Sequence, residues 1–413
     1  MNIKSLLCNP FALGALLSSI ILLGSSCSDD NGVIPTYQVS VNQTLPSNLP
    51  SNWSIKEGTL TFTELNTGHR TVYTLPLNNN ISVNEGIYSI QGELVISYNS
   101  QDGSLIEKNL RAVASQIVIN NSTQECNINW FYYRPENTLV FGEIYFTGSL
   151  NAKGTGGLYD TYFTIYNNTD EVQYADGLAI VESKFLNTST DKILTDANLP
   201  ANNFTAQTIY VIPGNGQSVA IKPGESIKIV DQAIDWSEQV AGTLNHTDAD
   251  FEWYDESSSA SVVDTDNPSV ANLDKWYSYS PTIWIPSQQC NRSYALVRFP
   301  EGMNPEQFLS EYDGTYKYIN AATGKEMNGT KCYLIKYEWI IDGVNLCPTE
   351  KWTTGALSTT VDISYAAISD KNADKNRFGK KLVRRVSGTS AGGNRVLMDT
   401  NDSASDFEVV PVR

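Results

Sequence analysis

The chain has 413 residues, of which 41% are hydrophobic, so it has room for two or three domains with real cores. Its 45 acidic residues outnumber 28 basic ones, giving a net charge of -17. A field of that sign repels phosphate backbones, which makes nucleic acid an unsuitable partner.

In chain order, the first readable element is a leader. Lys4 supplies a short positive region, Phe11 to Leu23 is an apolar run too short to span a bilayer, and Gly24, Ser25 and Ser26 lead to Cys27. This pattern predicts a lipoprotein signal over residues 1–26, removed so that Cys27 becomes the lipidated first residue of the mature chain. Residues 27–36 then read as an acidic tether. Within it, Ser28, Asp29 and Asp30 resemble the acidic export signal that carries lipoproteins of Bacteroidetes to the outer leaflet, which implies a lipid-anchored protein of the outer membrane, exposed at the cell surface.

From Tyr37 onward the periodicity is two, and helical signals are scarce. Leu60 and Phe62 alternate with Thr61 and Thr63; strands follow through Tyr88, Ile90 and Leu94 to Tyr98, and again over Ala112 to Ile119. Asn66 to His69 and Ser100 to Gly103 carry the chemistry of hairpin turns. Residues 37–135 are therefore expected to form a small β-sandwich, similar in architecture to the transthyretin-like modules found in Bacteroidetes lipoproteins.

A second β-domain is expected over residues 137–413. The run Leu139 to Tyr145 leads through a glycine-rich loop, Gly148 to Gly157, to Tyr159 to Asp170, and Val219 to Ile227 holds a Pro223-Gly224 turn. With Lys381 to Arg385, Asp399 to Ser403 and Asp406-Phe407, these segments resemble the landmarks of the lamin-tail domain, an immunoglobulin-like β-sandwich, here with long loop insertions. Together with Ala249 to Tyr254 and Asp264 to Leu273, they also resemble an uncharacterised family of Bacteroides-type lipoproteins. Phe163 stands where that domain usually has Glu, and Asp402 where the family more often has Asn. The expected fold class is thus all-β throughout.

Four cysteines remain outside the leader and the lipidation site: Cys126, Cys290, Cys332 and Cys347. An even number in an export compartment predicts disulfides, with three pairings open. No C-x-x-C is present to favour zinc or redox chemistry.

Catalytic parts are few. Only His69 and His246 are available as imidazole bases, and His246 reads as a surface residue; no nucleophile-elbow, P-loop, dinucleotide or H-E-x-x-H motif stands in a suitable setting. The densest acidic run, Asp248 to Glu256, alternates with Phe251 and Trp253, as in a strand with one wet face. Asp248, Asp250, Asp264 and Asp266 offer hard oxygen ligands suited to calcium, although no EF-hand loop is completed; otherwise no cofactor is expected. Asp160, Asn167, Asn168, Asp170, Asn401 and Asp402 read as turn closers, Phe407 as a core plug, and the basic run Lys380, Lys381, Arg384 and Arg385 as a solvated or paired strand face. Asp402-Ser403-Ala404 resembles the short O-glycosylation acceptor of Bacteroidetes, with Ser403 as its site.

Trp276, Tyr277, Tyr279, Trp284 and Trp352 fall in loop-like stretches, where exposed aromatics favour binding. The function expected is non-catalytic: a surface lipoprotein that captures a ligand or partner, with a TonB-dependent transporter as the candidate neighbour. The alternatives are a structural or adhesive docking lipoprotein and, third, a carboxylate-based glycan hydrolase.

Overall fold

The structure is a computed structural model that describes residues 34–413 apart from 46–48, 50, 78–79, 100–102, 104, 123–124, 134–137, 195–202 and 391. It is all-β. The first seven strands are β1 (Thr36–Thr44), β2 (Ser54–Glu64), β3 (Arg70–Thr74), β4 (Asn80–Asn84), β5 (Gly86–Asn99), β6 (Leu105–Ile119) and β7 (Glu125–Tyr133).

These strands lie in the order β3-β2-β5-β6-β7-β1-β4. Strand β5 shows why the sequence folds this way: Tyr88, Ile90, Gly92, Leu94 and Ile96 point inward while Ile87, Gln91 and Glu93 point out, the alternation a pleated strand imposes. Strand β7 serves two neighbours. Its first half runs parallel to β1 (Ser40 opposite Glu125), and its second half runs antiparallel to β6 (Asn109 opposite Tyr133). The two ends of the order meet, because the Tyr73 hydroxyl on β3 donates to the Ser82 carbonyl on β4 at 2.7 Å. Rolled in this way, the sheet encloses a single core in which Val39, Phe62, Val83, Ile90, Leu110 and Trp130 are buried. The turn at Asn66 to His69 joins β2 to β3 as expected, held by the Glu64 carboxylate, which accepts from the backbone N–H groups of Asn66 and Thr67 and from the Thr67 hydroxyl. Most of the Ser100 to Gly103 turn lies outside the described residues.

Residues 139–411 build two facing sheets. One runs in the order Ala271–Asn272, Phe251–Glu252, Ser226–Val230, Tyr162–Asn167, Leu139–Tyr145, Lys380–Arg384 and Phe407–Pro411. The closing strand thus returns across the whole segment: Lys380–Arg384 pairs with Phe407–Pro411 and also with Leu139–Tyr145, setting Leu382 opposite Ile144. The Pro223-Gly224 turn before Ser226–Val230 is also present, with Gly224 at φ +75 and Glu225 N–H bonded to Lys222 O at 3.0 Å.

The second sheet centres on Asn203–Val211, Leu178–Ser183, Ser293–Arg298 and Ile340–Asn345, and it is covered on both sides. Residue parity makes this plain. Leu178, Ile180, Tyr210, Tyr294 and Leu296 join the core between the two sheets, whereas their neighbours Ala179, Val181, Ile209, Ala295 and Val297 join another on the far side. The far core is roofed by the helix Pro305–Glu311, capped by Asn304, whose side chain accepts from Gln307 N–H, and started by Pro305. Its Phe308 sits among Trp276, Phe299, Tyr312 and Tyr333. Trp276 and Tyr277 therefore belong to a strand, Asp274–Ser278, and pack on this core, and Trp284 is buried against Tyr210 and Trp253. Of the aromatics expected to be exposed in loops, Tyr279 is half exposed and Trp352 partly so.

Candidate functional site

A cleft of about 260 Å³ opens between the segment after the last strand of the second sheet and the loop leading to Lys380, and it is lined by Thr349, Ile368, Asp370, Asp374, Asn376 and Lys380, among others. Two irregular segments make its walls. Thr349 N–H bonds to Ser369 O and Glu350 N–H to Asp370 O, so the first wall is pinned to the second by backbone contacts outside any regular strand. The Thr349 hydroxyl donates to Asp370 at 2.7 Å, and Asp374 accepts from Asn376 N–H at 2.9 Å, starting a short 3-10 turn over Lys375–Arg377. Arg377, buried beneath that turn, donates to Asp374 O and Gln288 O at 2.5 Å each. Ala373, in the left-handed region at φ +60, is held there by its N–H bond to Gln289 at 2.7 Å.

Beside the cleft, Trp352 and Tyr365 stack with centroids 4.6 Å apart and planes 19° from parallel, and the Tyr365 hydroxyl donates to Thr349 O at 3.4 Å. The arrangement sets a partly exposed aromatic pair next to carboxylate acceptors, an amide, hydroxyls and one ammonium. That set suits a polar, hydroxyl- or amine-bearing ligand, with an aromatic face for its apolar side. Of these residues Trp352 and Lys380 stood out in the sequence, the latter as part of the basic run.

The other residues singled out by sequence fall elsewhere. Cys27, Ser28, Asp29 and Asp30 lie outside the described residues. Cys126, Cys290, Cys332 and Cys347 are all buried and unbridged, against the expectation of disulfides. Burial raises every one of these thiols, Cys290 to about 12 and Cys332 to about 11, so they are small apolar core residues rather than reactive groups.

The proposed calcium ligands do not converge. Asp248 is exposed and reaches the Lys228 ammonium, Asp250 accepts from Lys228 N–H, Asp264 accepts from the backbone of Asp255 and Thr265, and Asp266 accepts from the Asn272 amide. Among the described residues no group of three or more His, Cys, Asp or Glu side chains is arranged to hold a metal ion. Nor is the acidic strand half wet: Glu252 is buried beside Phe251, and its carboxylate accepts from Ala233 N–H and Asn267 N–H.

His246 is likewise an interior residue. It is fully buried, its Nε2 lies 3.1 Å from Asp160 O, and it meets Tyr162 edge-on. Burial, helped by Lys228, pushes it down to about 4, so the ring is neutral at physiological pH. His69 is exposed in its turn, as expected.

Ser403 is buried too, and its hydroxyl donates to Asp362 at 2.5 Å, which leaves no accessible acceptor for a glycan. Asn167 closes its own turn through Thr169 N–H; Asp160, Asn168 and Asp170 instead tie distant segments, Asn168 by paired bonds to the backbone of Leu397. Phe407 is the expected core plug, packed under a guanidinium from the basic run expected to form a solvated or paired strand face.

That guanidinium belongs to Arg384. It is buried and makes a two-pronged contact with Asp342 at 2.6 and 2.7 Å, donates to Phe141 O and Met398 O at 2.9 Å each, reaches Asp399 and Asp406, and lies over the Phe407 ring. Burial opposes its charge, and the surrounding carboxylates outweigh burial, so it is held more firmly protonated than usual. The strongly shifted interior carboxylates, Asp231, Asp264 and Asp362 among them, owe their rise first to burial, and none of them lines the cleft.

Residues 222–412 match the model of a family described as a protein of unknown function, DUF4876. The matched stretch takes in the cleft, Arg384 with its acidic partners and the whole of the closing strand Phe407–Pro411. The chain is similar in fold to the crystal structure of a DUF4876 family protein from Bacteroides thetaiotaomicron, with 19% identity and a TM-score of 0.54 over 90% of this chain and 94% of that one. No curated protein matches the chain. These likenesses support the resemblance to an uncharacterised family of Bacteroidetes type.

Proposed function

We propose that the protein is a lipid-anchored lipoprotein of the outer membrane, displayed at the cell surface, that binds a polar ligand or a surface partner in the cleft beside Trp352 without catalysis of its own. The address rests on the leader ending at Cys27 and on Ser28, Asp29 and Asp30 behind it. The binding role rests on one observation: a partly exposed aromatic pair, Trp352 and Tyr365, beside a cleft of hydrogen-bonding side chains. Asp370 and Asp374 are already engaged, by the Thr349 hydroxyl and by Asn376 N–H, which suits carboxylates that shape a site more than ones that exchange protons with a substrate. On this reading the two β-rich segments, transthyretin-like and lamin-tail-like, hold the cleft at the surface, and a TonB-dependent transporter is a candidate neighbour.

The test is capture from solubilised outer membranes by the full-length acylated protein, wild type against Trp352→Ala/Asp370→Ala. A transporter or glycan that co-purifies with the wild type and is lost from the double variant supports the role given to the cleft. Equal capture by both removes that role.

A further inference from the structure

One end of the rolled first sheet carries an apolar row that the core does not use. Leu65, just past β2, Ile87 on β5 and Val118 on β6 are 49%, 39% and 49% exposed. They are neighbours: Ile87 and Val118 are direct cross-strand partners, and Leu65 N–H bonds to Ile87 O at 2.8 Å. Their parity explains the exposure, since Glu64, Tyr88 and Ile119, the adjoining residues, take the inward positions.

The same end is where the described chain starts. Thr36 pairs with Asn84, Glu85 N–H bonds to Pro35 O at 2.7 Å, and Gly86 and Ile87 follow directly. Ile34, 58% exposed, therefore joins the apolar row at this end. Only six residues, and so seven Cα–Cα steps, separate it from Cys27. Fully extended, they span at most about 25 Å. A lipid on Cys27 would keep this end of the sheet within that distance of the bilayer, while the far end of β5, twelve residues along, stands roughly 40 Å higher.

We infer that the end of the first sheet formed by Ile34, Leu65, Ile87 and Val118 rests against the lipid surface, as a second, non-covalent contact beside the acyl chains. This rests on the lipoprotein reading proposed above. The contact fixes which way up the protein stands, because flexible acyl chains alone leave a tethered body free to tumble. An apolar row at headgroup depth also gains from burial what it loses when exposed to water.

The experiment uses the full-length protein, acylated in cells, in vesicles of phosphatidylethanolamine and phosphatidylglycerol. Nitroxide labels are placed singly at Ile87→Cys, at Leu65→Cys, and at Leu105→Cys at the opposite end of the β5–β6 hairpin, and their accessibility to oxygen and to a water-soluble nickel chelate is compared. Oxygen should exceed nickel severalfold at positions 87 and 65, and the order should reverse at 105. If all three sites look aqueous on protein whose Cys27 carries palmitate, the inference is overturned and the lipoprotein reading stands. If Cys27 carries no palmitate, both fall. Labels at 87 and 65 that are shielded from both probes would mark a protein contact there and overturn the lipid assignment.

Discussion

Replacing Arg384 with Met should cost about 3 to 5 kcal/mol of stability, the range seen when one partner is removed from a buried ion pair. The structure shows why the cost is electrostatic. The methionine stem fills most of the space of the arginine stem, so little cavity forms, but Asp342 and Asp406 remain buried without their cation, and Phe141 O and Met398 O lose a donor. Asp342 keeps two backbone bonds, from Phe141 N–H at 2.7 Å and from Gly343 N–H at 2.8 Å, which are too little to hold a carboxylate charged in the core. It would take up a proton instead, and this caps the loss. Urea unfolding followed by near-UV dichroism of the buried Trp253 and Trp284 pair reads the change. The double variant Arg384→Met/Asp342→Leu should recover most of it, because an apolar pair of similar volume can replace a buried ionic one at little cost. A single variant within 1 kcal/mol of wild type, or a double variant no better than the single one, would refute the claim that Arg384 balances these carboxylates.

Phe407→Ala should cost roughly 3 to 5 kcal/mol, since the ring is buried and carries the guanidinium, and a chain ending at Met398 should unfold at much lower urea than the intact protein. Stability should depend on pH with an unusual sign. Burial pushes Asp362 up to about 7 and Asp264 up to about 6, so the folded state holds protons that the unfolded chain has released, and stability is lost as pH rises from about 4 through those values. His246, pushed down to about 4, acts oppositely between pH 4 and 6.5 and is silent above that. From pH 6.5 to about 7.5 His246 is silent and the slope is shared by Asp362 and the still more strongly raised Asp231, so Asp362→Asn should reduce it; an unchanged slope would show that Asp362 is ionised in the fold. Thiol titration without reductant should find Cys126, Cys290, Cys332 and Cys347 silent in the native protein and all four reactive in urea, whereas fewer than four would reveal a bridge.

The strands were legible because their inward residues are apolar. The alternation through Tyr88 to Ile96 and the closing Phe407 stand where period two places them, while Leu139 to Tyr145 is a nearly continuous apolar run buried on both faces. The polar interior was harder to read. Lys380, Lys381, Arg384 and Arg385 look like one basic cluster, yet Leu382 and Arg384 share parity, so a strand that buries the first must bury the second. Asp342 gave the matching signal, an acid two residues from Val344 in a strand otherwise apolar up to its final Asn345, and so did Glu252 between Phe251 and Trp253. His246 carried no such mark, because the loop that buries it has no period to read. The cleft was not legible for the same reason: its walls, around Thr349 and from Ala367 to Lys380, are irregular and come together through backbone bonds that no local pattern announces.

If the protein hangs from its N-terminus as proposed, the position of β1 matters. The strand is not at an edge; it is zipped to β4 over Thr36 to Ser40 and to β7 over Ser40 to Thr44, so both flanks are bonded in succession along its length. A tug through the tether, from fluid flow or from a moving partner, would pull β1 along its own axis. In that direction the inter-strand bonds, which run across the strands, resist as a group in shear instead of parting one at a time as they would if the strand were peeled sideways. The fold thus places a cooperative mechanical resistance at the point where an anchored chain would feel the pull.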